Sequence, residues 1–148
     1  MDIQNIAYMN TTVLAFLGDS VYEVYVREHV IKKGQANADL LHRAAVGFVR
    51  AEAQAYALKQ MMNDLTEDEQ NLVKRARNKK ISTKPKNADP VVYKWATAYE
   101  ALIGFLYLSQ KTDRMEELIQ KTIGIIESNK RQERVKNENS NKKIIMEV

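Results

Sequence analysis

The spacing of apolar residues along the chain predicts helices and no strands. Apolar side chains recur every three to four residues, as on one face of a helix. Residues that break helices are scarce, with five glycines and two prolines among 148 residues. We therefore predict an all-α protein. Its helices are predicted at 11–32, 37–62, 66–79, 88–110 and 112–130.

The first of these segments contains VYEVYVREHVI, whose β-branched and aromatic residues favour strands. A strand, however, would place the charged Glu23 and Arg27 on the same face as Val21. Helical spacing keeps the apolar residues together, so we interpret the segment as a helix. The apolar side of that helix is predicted to carry Leu14, Leu17, Val21, Val24 and Tyr25.

Three of the predicted helices begin with a capping signal. Asn37 or Asp39 can cap the second helix. The third begins at Thr66, where the run TEDE places acids in the first turn. Asp89 followed by Pro90 is typical of a helix start, because proline fits the first helical position.

Composition limits the kinds of site that the protein can have. The absence of cysteine excludes disulfides, thiolate zinc sites and cysteine nucleophiles, and it suits a reducing cytosol. With only two histidines, a bound metal would be a hard cation on oxygen ligands. The N-terminus does not resemble a signal peptide and no apolar stretch is long enough to cross a membrane, so we expect a cytoplasmic protein.

The length fits one folded domain followed by a polar tail. Residues 1–127 hold nearly all of the periodic apolar pattern, and we predict that they form one helical domain. The segment from Ser128 to Val148 is polar and mixed in charge, so we predict that it is frayed or disordered.

Two strongly apolar helices each carry one carboxylate. TTVLAFLGDSVYEVYV contains Asp19, and KWATAYEALIGFLYLS contains Glu100. Each helix also has a glycine, Gly18 and Gly104, which sacrifices about 1 kcal/mol of helix propensity and so indicates close approach of a backbone or ligand. If the two helices pack together, the acids can meet, and a divalent cation such as Mg²⁺ would relieve their repulsion.

Plainer interpretations stay open at this point. Each acid can instead pair with a buried lysine, arginine or backbone amide. Glu23 lies one turn after Asp19, where it is either a further ligand, a group that orients one, or a surface residue beside Arg27. His29 and His42 are interpreted as packing or surface residues.

Positive charge is concentrated between residues 74 and 86, in KRARNKKISTKPK. The segment has seven positive charges and no acid, whereas the whole chain has a net charge of +4. It could be a solvated helix end, but its density favours binding to nucleic-acid phosphates. Because no aromatic residue lies within it, a duplex is favoured over a single strand. The predicted RNA-binding residues are Lys74, Arg75, Arg77, Lys79, Lys80, Lys84 and Lys86.

The two acid-bearing stretches, taken together, resemble the ribonuclease III family. LAFLGDSVYEVYV is similar to the signature of that family, a Leu-Glu-Phe-Leu-Gly-Asp run before an apolar helix, and AYEALIGFLYLS is similar to its second metal-binding helix. The spacing of about 80 residues between them fits. LLHRAAVGFVRAEAQAYAL resembles the intervening helix. Without a following double-stranded-RNA-binding domain, the chain resembles a reduced bacterial branch of the family.

The resemblance implies a helical-bundle ribonuclease III catalytic domain that acts as a homodimer. It implies a Mg²⁺-dependent endoribonuclease that cuts double-stranded RNA, leaves 5′-phosphate and 3′-hydroxyl ends, and processes precursor 23S ribosomal RNA. Asp19 and Glu100 match the metal-binding, catalytic aspartate and glutamate of the two motifs.

Two positions depart from the larger enzymes of the family. Ala15 stands where they have a glutamate, and Thr97 stands where they have an aspartate. The chain is therefore expected to hold its metal with fewer acids. The losses also motivate two rival hypotheses, a non-catalytic duplex-binding module on a degenerate ribonuclease III fold and a helical protein whose basic loop contacts an acidic partner.

Overall fold

The computed structural model describes residues 2–80 and 86–147, and within them the protein is helical with no strand. The all-α prediction is confirmed. The helices are α1 (Ile3–Ala7), α2 (Thr11–Lys32), α3 (Ala38–Val49), α4 (Ala51–Met61), α5 (Glu67–Asn78), α6 (Pro90–Leu108) and α7 (Thr112–Glu147), with a 3₁₀ turn at Met62–Asp64 after α4. In these ranges no helix is long and apolar enough to cross a membrane.

The centre of the fold is α6, which packs against α2, α4 and α5. Its contact with α2 is the most extensive between any two elements. The middle of α6, from Tyr99 to Leu106, is buried apart from the half-buried Glu100. A helix that is apolar on most sides can bury itself in this way, as its sequence predicts.

The predicted range of α2 is confirmed, and its predicted apolar side is confirmed in part, because Leu14 is buried and Val21 and Tyr25 pack against the core. The buried residues of α2 include Leu14, Gly18, Tyr22 and Val26, whereas Val24 is 63% exposed. Because α2 is apolar on most sides, spacing alone does not select the buried face. The glycine at position 18 does, since it permits the closest approach to α6.

The predicted helix at 37–62 is two helices, because the chain leaves the helical conformation at Arg50, where ψ is 151°. Two carbonyls that would accept backbone hydrogen bonds in a continuous helix accept them from side chains instead, one on α2 and one in α4. The Tyr22 hydroxyl donates to the Phe48 carbonyl (2.9 Å), and the Gln54 amide donates to the Val49 carbonyl (2.8 Å). The break is therefore accompanied by side-chain hydrogen bonds, and the sequence has no proline there from which it could have been predicted.

The predicted helix starts are confirmed. Asn37 caps α3, and Asp89 caps α6 with Pro90 in the first turn. Thr66 caps α5 in a reciprocal capping box with Glu69. The short helix α1 was not predicted.

Glu69 also joins α5 to α7 through a buried ion pair. Arg114 donates to both carboxylate oxygens of Glu69, at 2.8 and 3.0 Å, and to the Asp64 carbonyl at 3.0 Å. Burial alone would raise the pKa of Glu69, but the hydrogen bonds from Arg114 and Thr66 outweigh it and hold the pKa below its usual value.

The expectation of irregular structure after Ser128 is wrong for its secondary structure. Residues 128–147 continue α7, although no side chain after residue 126 is buried. Lys, Arg, Gln and Glu are good helix formers, so a polar composition does not exclude a helix that continues from a packed one. The division into a domain at 1–127 and a separate tail stays a prediction.

Candidate active site

The two glycines of the acid-bearing helices lie against each other's backbones. A Cβ atom on Gly18 would lie 1.7 Å from the Glu100 carbonyl oxygen, and one on Gly104 would lie 2.0 Å from the Leu14 carbonyl oxygen. Neither position can hold a larger residue without displacing a helix. The close approach of the two backbones therefore explains why both helices have a glycine despite its low helix propensity. It also makes α2 and α6 closest beside Asp19 and Glu100.

This contact brings Asp19 and Glu100 together, as the sequence predicts for packed helices. Asp19 is exposed, Glu100 is half-buried, and their carboxyl groups are hydrogen-bonded. Burial, followed by the hydrogen bond and the negative charge of Asp19, raises the pKa of Glu100 to about 9. At neutral pH the isolated pair therefore shares a proton.

The plainer interpretation of the acids, pairing with a buried cation, is not what the structure has. Among residues 2–80 and 86–147, neither Asp19 nor Glu100 forms an ion pair with a lysine or arginine. The other contact of the Glu100 carboxyl is a hydrogen bond with the buried side chain of Gln54, which lowers the pKa. Among the described residues, the two acids therefore face each other without a lysine or arginine to pair with.

These donors fit a hard divalent cation. Carboxylate oxygens are the ligands that Mg²⁺ prefers, and it needs only one or two because it retains water. A dication would also relieve the repulsion that keeps Glu100 protonated. In the part of the chain that is described, no group of three or more His, Cys, Asp or Glu residues is arranged to hold a metal ion, so Asp19 and Glu100 remain the candidate protein ligands.

The positions where larger relatives have acids lie on the same two helices. Ala15 is buried and Thr97 is half-buried, and neither adds a charge. Glu23 forms an ion pair with Arg27 at 3.0 Å, in agreement with a surface role. Its role as a further metal ligand or an orienting group stays a prediction.

Two residues of the basic segment, Arg75 and Lys79, lie at the N-terminal end of α2. Arg75 donates to the Met9 carbonyl at 3.3 Å, and the Lys79 ammonium lies 2.9 Å from the Thr12 hydroxyl and also contacts Asn10. Thr12 is seven residues from Asp19, about 10 Å along a helix. This part of the segment is therefore within two turns of the acid pair.

The other predicted RNA-binding residues have different surroundings. Arg77 lies over the Trp95 ring, with its guanidinium carbon 4.8 Å from the ring centroid. Lys74, Lys80 and Lys86 are exposed. Lys84 lies outside the described residues. The three exposed lysines are therefore accessible to a ligand, whereas Arg77 is packed against Trp95.

The two histidines are a packing residue and a surface residue, as predicted. His29 packs edge-on against Phe48, with ring centroids 5.5 Å apart, and its Nε2 lies 3.5 Å from a carboxylate oxygen of Glu127. His42 is exposed on α3. Gln54, which hydrogen-bonds Glu100, was not predicted as a site residue, because an isolated glutamine in an alanine-rich helix belongs to no motif.

Comparison with known proteins identifies the class to which this fold and site belong. The family described as Ribonuclease III domain matches residues 12–111, which include both acid-bearing helices. The match covers more than half of the chain and ends just before α7. The fold and site therefore define a ribonuclease III domain, and the protein is an endoribonuclease.

The sequence relatives narrow the class further. Mini-ribonuclease 3 of Brevibacillus brevis is 50% identical over 118 residues, covering 80% of this chain and 88% of the relative. Mini-ribonuclease 3 of Symbiobacterium thermophilum is 45% identical over 114 residues, covering 77% and 88%. The chain belongs to the Mini-ribonuclease III branch of the ribonuclease III family, which confirms the resemblance inferred from its motifs.

A solved structure supports the fold assignment independently. The crystal structure of protein FN1578 from Fusobacterium nucleatum superposes with a TM-score of 0.73 at 34% sequence identity. The match covers 81% of this chain and 96% of that one. The helical-bundle prediction is therefore confirmed.

Proposed function

We propose that this endoribonuclease cleaves double-stranded RNA with Mg²⁺ held by Asp19 and Glu100. The observation that carries the proposal is the acid pair, in which two carboxyl groups meet with no lysine or arginine paired to them in the described ranges, and the pKa of Glu100 is raised to about 9. Burying a carboxyl beside a second acid is unfavourable unless a bound cation offsets the repulsion between them.

When bound, Mg²⁺ would supply an activated water for in-line attack and would stabilise the leaving oxygen, giving 5′-phosphate and 3′-hydroxyl ends. The chain itself has to present both carboxylates in ionised form and at the right separation. The glycine contact between α2 and α6 fixes that separation, and no side-chain nucleophile is required.

The basic segment is proposed to bind the phosphates beside the cleavage site. Lys79 and Arg75 adjoin the start of α2, about 10 Å along that helix from Asp19, so a duplex can touch both places. Cations that contact only phosphates give affinity without base preference. Selectivity for duplex RNA would then come from shape.

We propose that two copies of the chain form the active enzyme. Apolar side chains on α2 point into solvent alongside Asp19, including Phe16, which is 82% exposed, and Val13 and Val24. A face of this kind usually marks an interaction site. A second copy suits it, because a two-fold dimer opposes one site to each strand of a duplex.

The substrate and location follow from the family likeness. We propose that the RNA is the precursor of 23S ribosomal RNA and that the enzyme acts in the cytoplasm. The basic sequence, with a net charge of +4, agrees with an RNA substrate.

Cleavage of a long RNA duplex by Asp19→Asn and Glu100→Gln variants tests the proposal. We expect both to lose cleavage by at least about a thousandfold while retaining duplex binding, and we expect a chelator to stop the wild type. Full cleavage by both variants would refute the site assignment. Duplex binding by the wild type without Mg²⁺-dependent cutting would instead favour the non-catalytic module.

A further inference from the structure

Gln54 is a polar residue in a place where the core is otherwise apolar. It lies in the first turn of α4 and is 2% exposed, with alanines on either side. A buried amide is unfavourable unless its donors and acceptor are hydrogen-bonded. The hydrogen bonds of the Gln54 amide therefore indicate the role of this residue.

One contact fixes the direction of the side chain. Nε2 donates to the Val49 carbonyl at 2.8 Å, at the point where the chain leaves the helical conformation between α3 and α4. The reversed amide would set its oxygen against that carbonyl, so the orientation is determined. The interruption of the helix at Arg50 thus provides the acceptor that aims Gln54.

The second contact is with the acid pair. The Gln54 side chain hydrogen-bonds the Glu100 carboxyl as a donor and favours its ionised form, against the effects of burial and of Asp19. The remaining polar atom, Oε1, is buried and has no hydrogen-bond partner among the described residues. An orphaned acceptor on a side chain that also contacts Glu100 suits a donor that comes with a ligand, such as a water molecule bound to a cation.

We propose that Gln54 is a positioning residue, which holds the Glu100 carboxylate for Mg²⁺ and offers Oε1 to a water on that ion. This inference rests on the proposed function. Ala15 and Thr97 leave the site short of acids, and a neutral amide compensates in part because it orients a carboxylate without adding repulsion. Groups that orient a metal ligand commonly contribute 10- to 100-fold to metal affinity or activity.

A purely structural role is the alternative, and the chain contains a residue that has only that role. Gln70 on α5 donates through Nε2 to the Met62 carbonyl at 2.8 Å, also where a helix ends. Within the described ranges its side chain hydrogen-bonds neither Asp19 nor Glu100. Gln70 is therefore a matched control for the carbonyl contact of Gln54.

The experiment compares Gln54→Met with Gln70→Met, since methionine is similar in size and adapts to buried sites. Titration calorimetry with Mg²⁺ alone measures metal affinity, and duplex cleavage at saturating Mg²⁺ separates kcat from KM. We expect Gln54→Met to bind Mg²⁺ about 10- to 100-fold more weakly and to lose kcat while KM for RNA is unchanged. Gln70→Met is expected to match the wild type in all three.

If Gln54→Met does not fold, Gln54→Asn replaces it, because it keeps the amide but is too short to reach both Val49 and Glu100. Wild-type Mg²⁺ affinity in the Gln54 variant, or an equal loss in Gln70→Met, would overturn the inference. Glu100→Gln separates it from the proposed function. If Glu100→Gln binds Mg²⁺ as well as the wild type, the metal assignment itself is wrong. If Glu100→Gln loses Mg²⁺ affinity but the Gln54 variant does not, only the role of Gln54 is wrong.

Discussion

Glu69 and Glu100 are both partly or fully withdrawn from water, yet their surroundings are opposite. Glu69 is 4% exposed and is satisfied on every side by Arg114 and by the Thr66 capping box. Glu100 faces a second acid and one amide donor. Correspondingly, the pKa of Glu69 is lowered and that of Glu100 is raised to about 9.

The difference separates a carboxylate that stabilises the fold from one that we propose binds a metal ion. Glu69 fastens α5 to α7 and needs nothing further. Glu100 makes the folded, metal-free protein less stable at neutral pH, because its raised pKa means that the folded chain must bind a proton that the unfolded chain does not. Burial of an acid therefore identifies a site only when its partners are known.

The largest effect on stability is expected from removing the partner of Glu69. Arg114→Met leaves a buried carboxylate unpaired, so the free energy of unfolding should fall by about 3–5 kcal/mol in urea titration. The folded fraction should still cleave RNA. In contrast, Glu100→Gln should leave metal-free stability at pH 7 unchanged or raised. A large loss of stability in Glu100→Gln would break the distinction between the two glutamates.

A smaller effect is expected from closing the space between α2 and α6. Gly18→Ala would force a Cβ against the Glu100 carbonyl, so we expect about 2–3 kcal/mol of destabilisation and a displaced acid pair with reduced cleavage. Gly124→Ala is the control, because nothing lies within 4 Å of its added Cβ. That change should stabilise α7 by up to about 1 kcal/mol in the same unfolding assay.

The two glutamates also predict opposite responses to pH in chelator. Since the pKa of Glu100 rises from 4.5 in the unfolded chain to about 9 in the folded one, its contribution to stability falls as pH increases between those values. The pKa of Glu69 is lowered, so its contribution is present above pH 4.5 and is lost in acid.

Scanning calorimetry measures both trends. Between pH 5 and 9 we expect the Glu100 contribution to fall by about 2 kcal/mol, less than the whole shift implies because water reaches this half-buried group. Glu100→Gln should flatten that slope and leave the loss in acid unchanged. If stability still falls between pH 5 and 9 in Glu100→Gln, a group other than Glu100 causes the pH dependence.

Much of the fold could be predicted because its signals are local. The starts at Asn37, Thr66 and Asp89 depend on side chains that bond to amides two or three residues away. The range of α2 and the meeting of Asp19 with Glu100 followed from apolar periodicity, paired glycines and family motifs.

The features that the sequence did not reveal depend on contacts across the fold. At the break near Arg50, Tyr22 from another helix donates a hydrogen bond to the Phe48 carbonyl, and Arg114 lies 45 residues from Glu69. Gln54 carries no motif, because its significance comes from the carbonyl and the carboxyl that folding brings to it. The buried side of α2 was similarly decided by packing against α6.

We propose that Glu100 is held in an unfavourable state that a divalent cation relieves. Carbon-13 NMR of labelled glutamate carboxyl groups, followed through a pH titration with and without Mg²⁺, tests it most directly. We predict that Glu100 titrates near pH 9 in chelator and that saturating Mg²⁺ lowers its pKa below 7, while Glu69 stays below its usual value in both. An ordinary pKa for Glu100 in chelator, or one that Mg²⁺ does not move, would contradict the account.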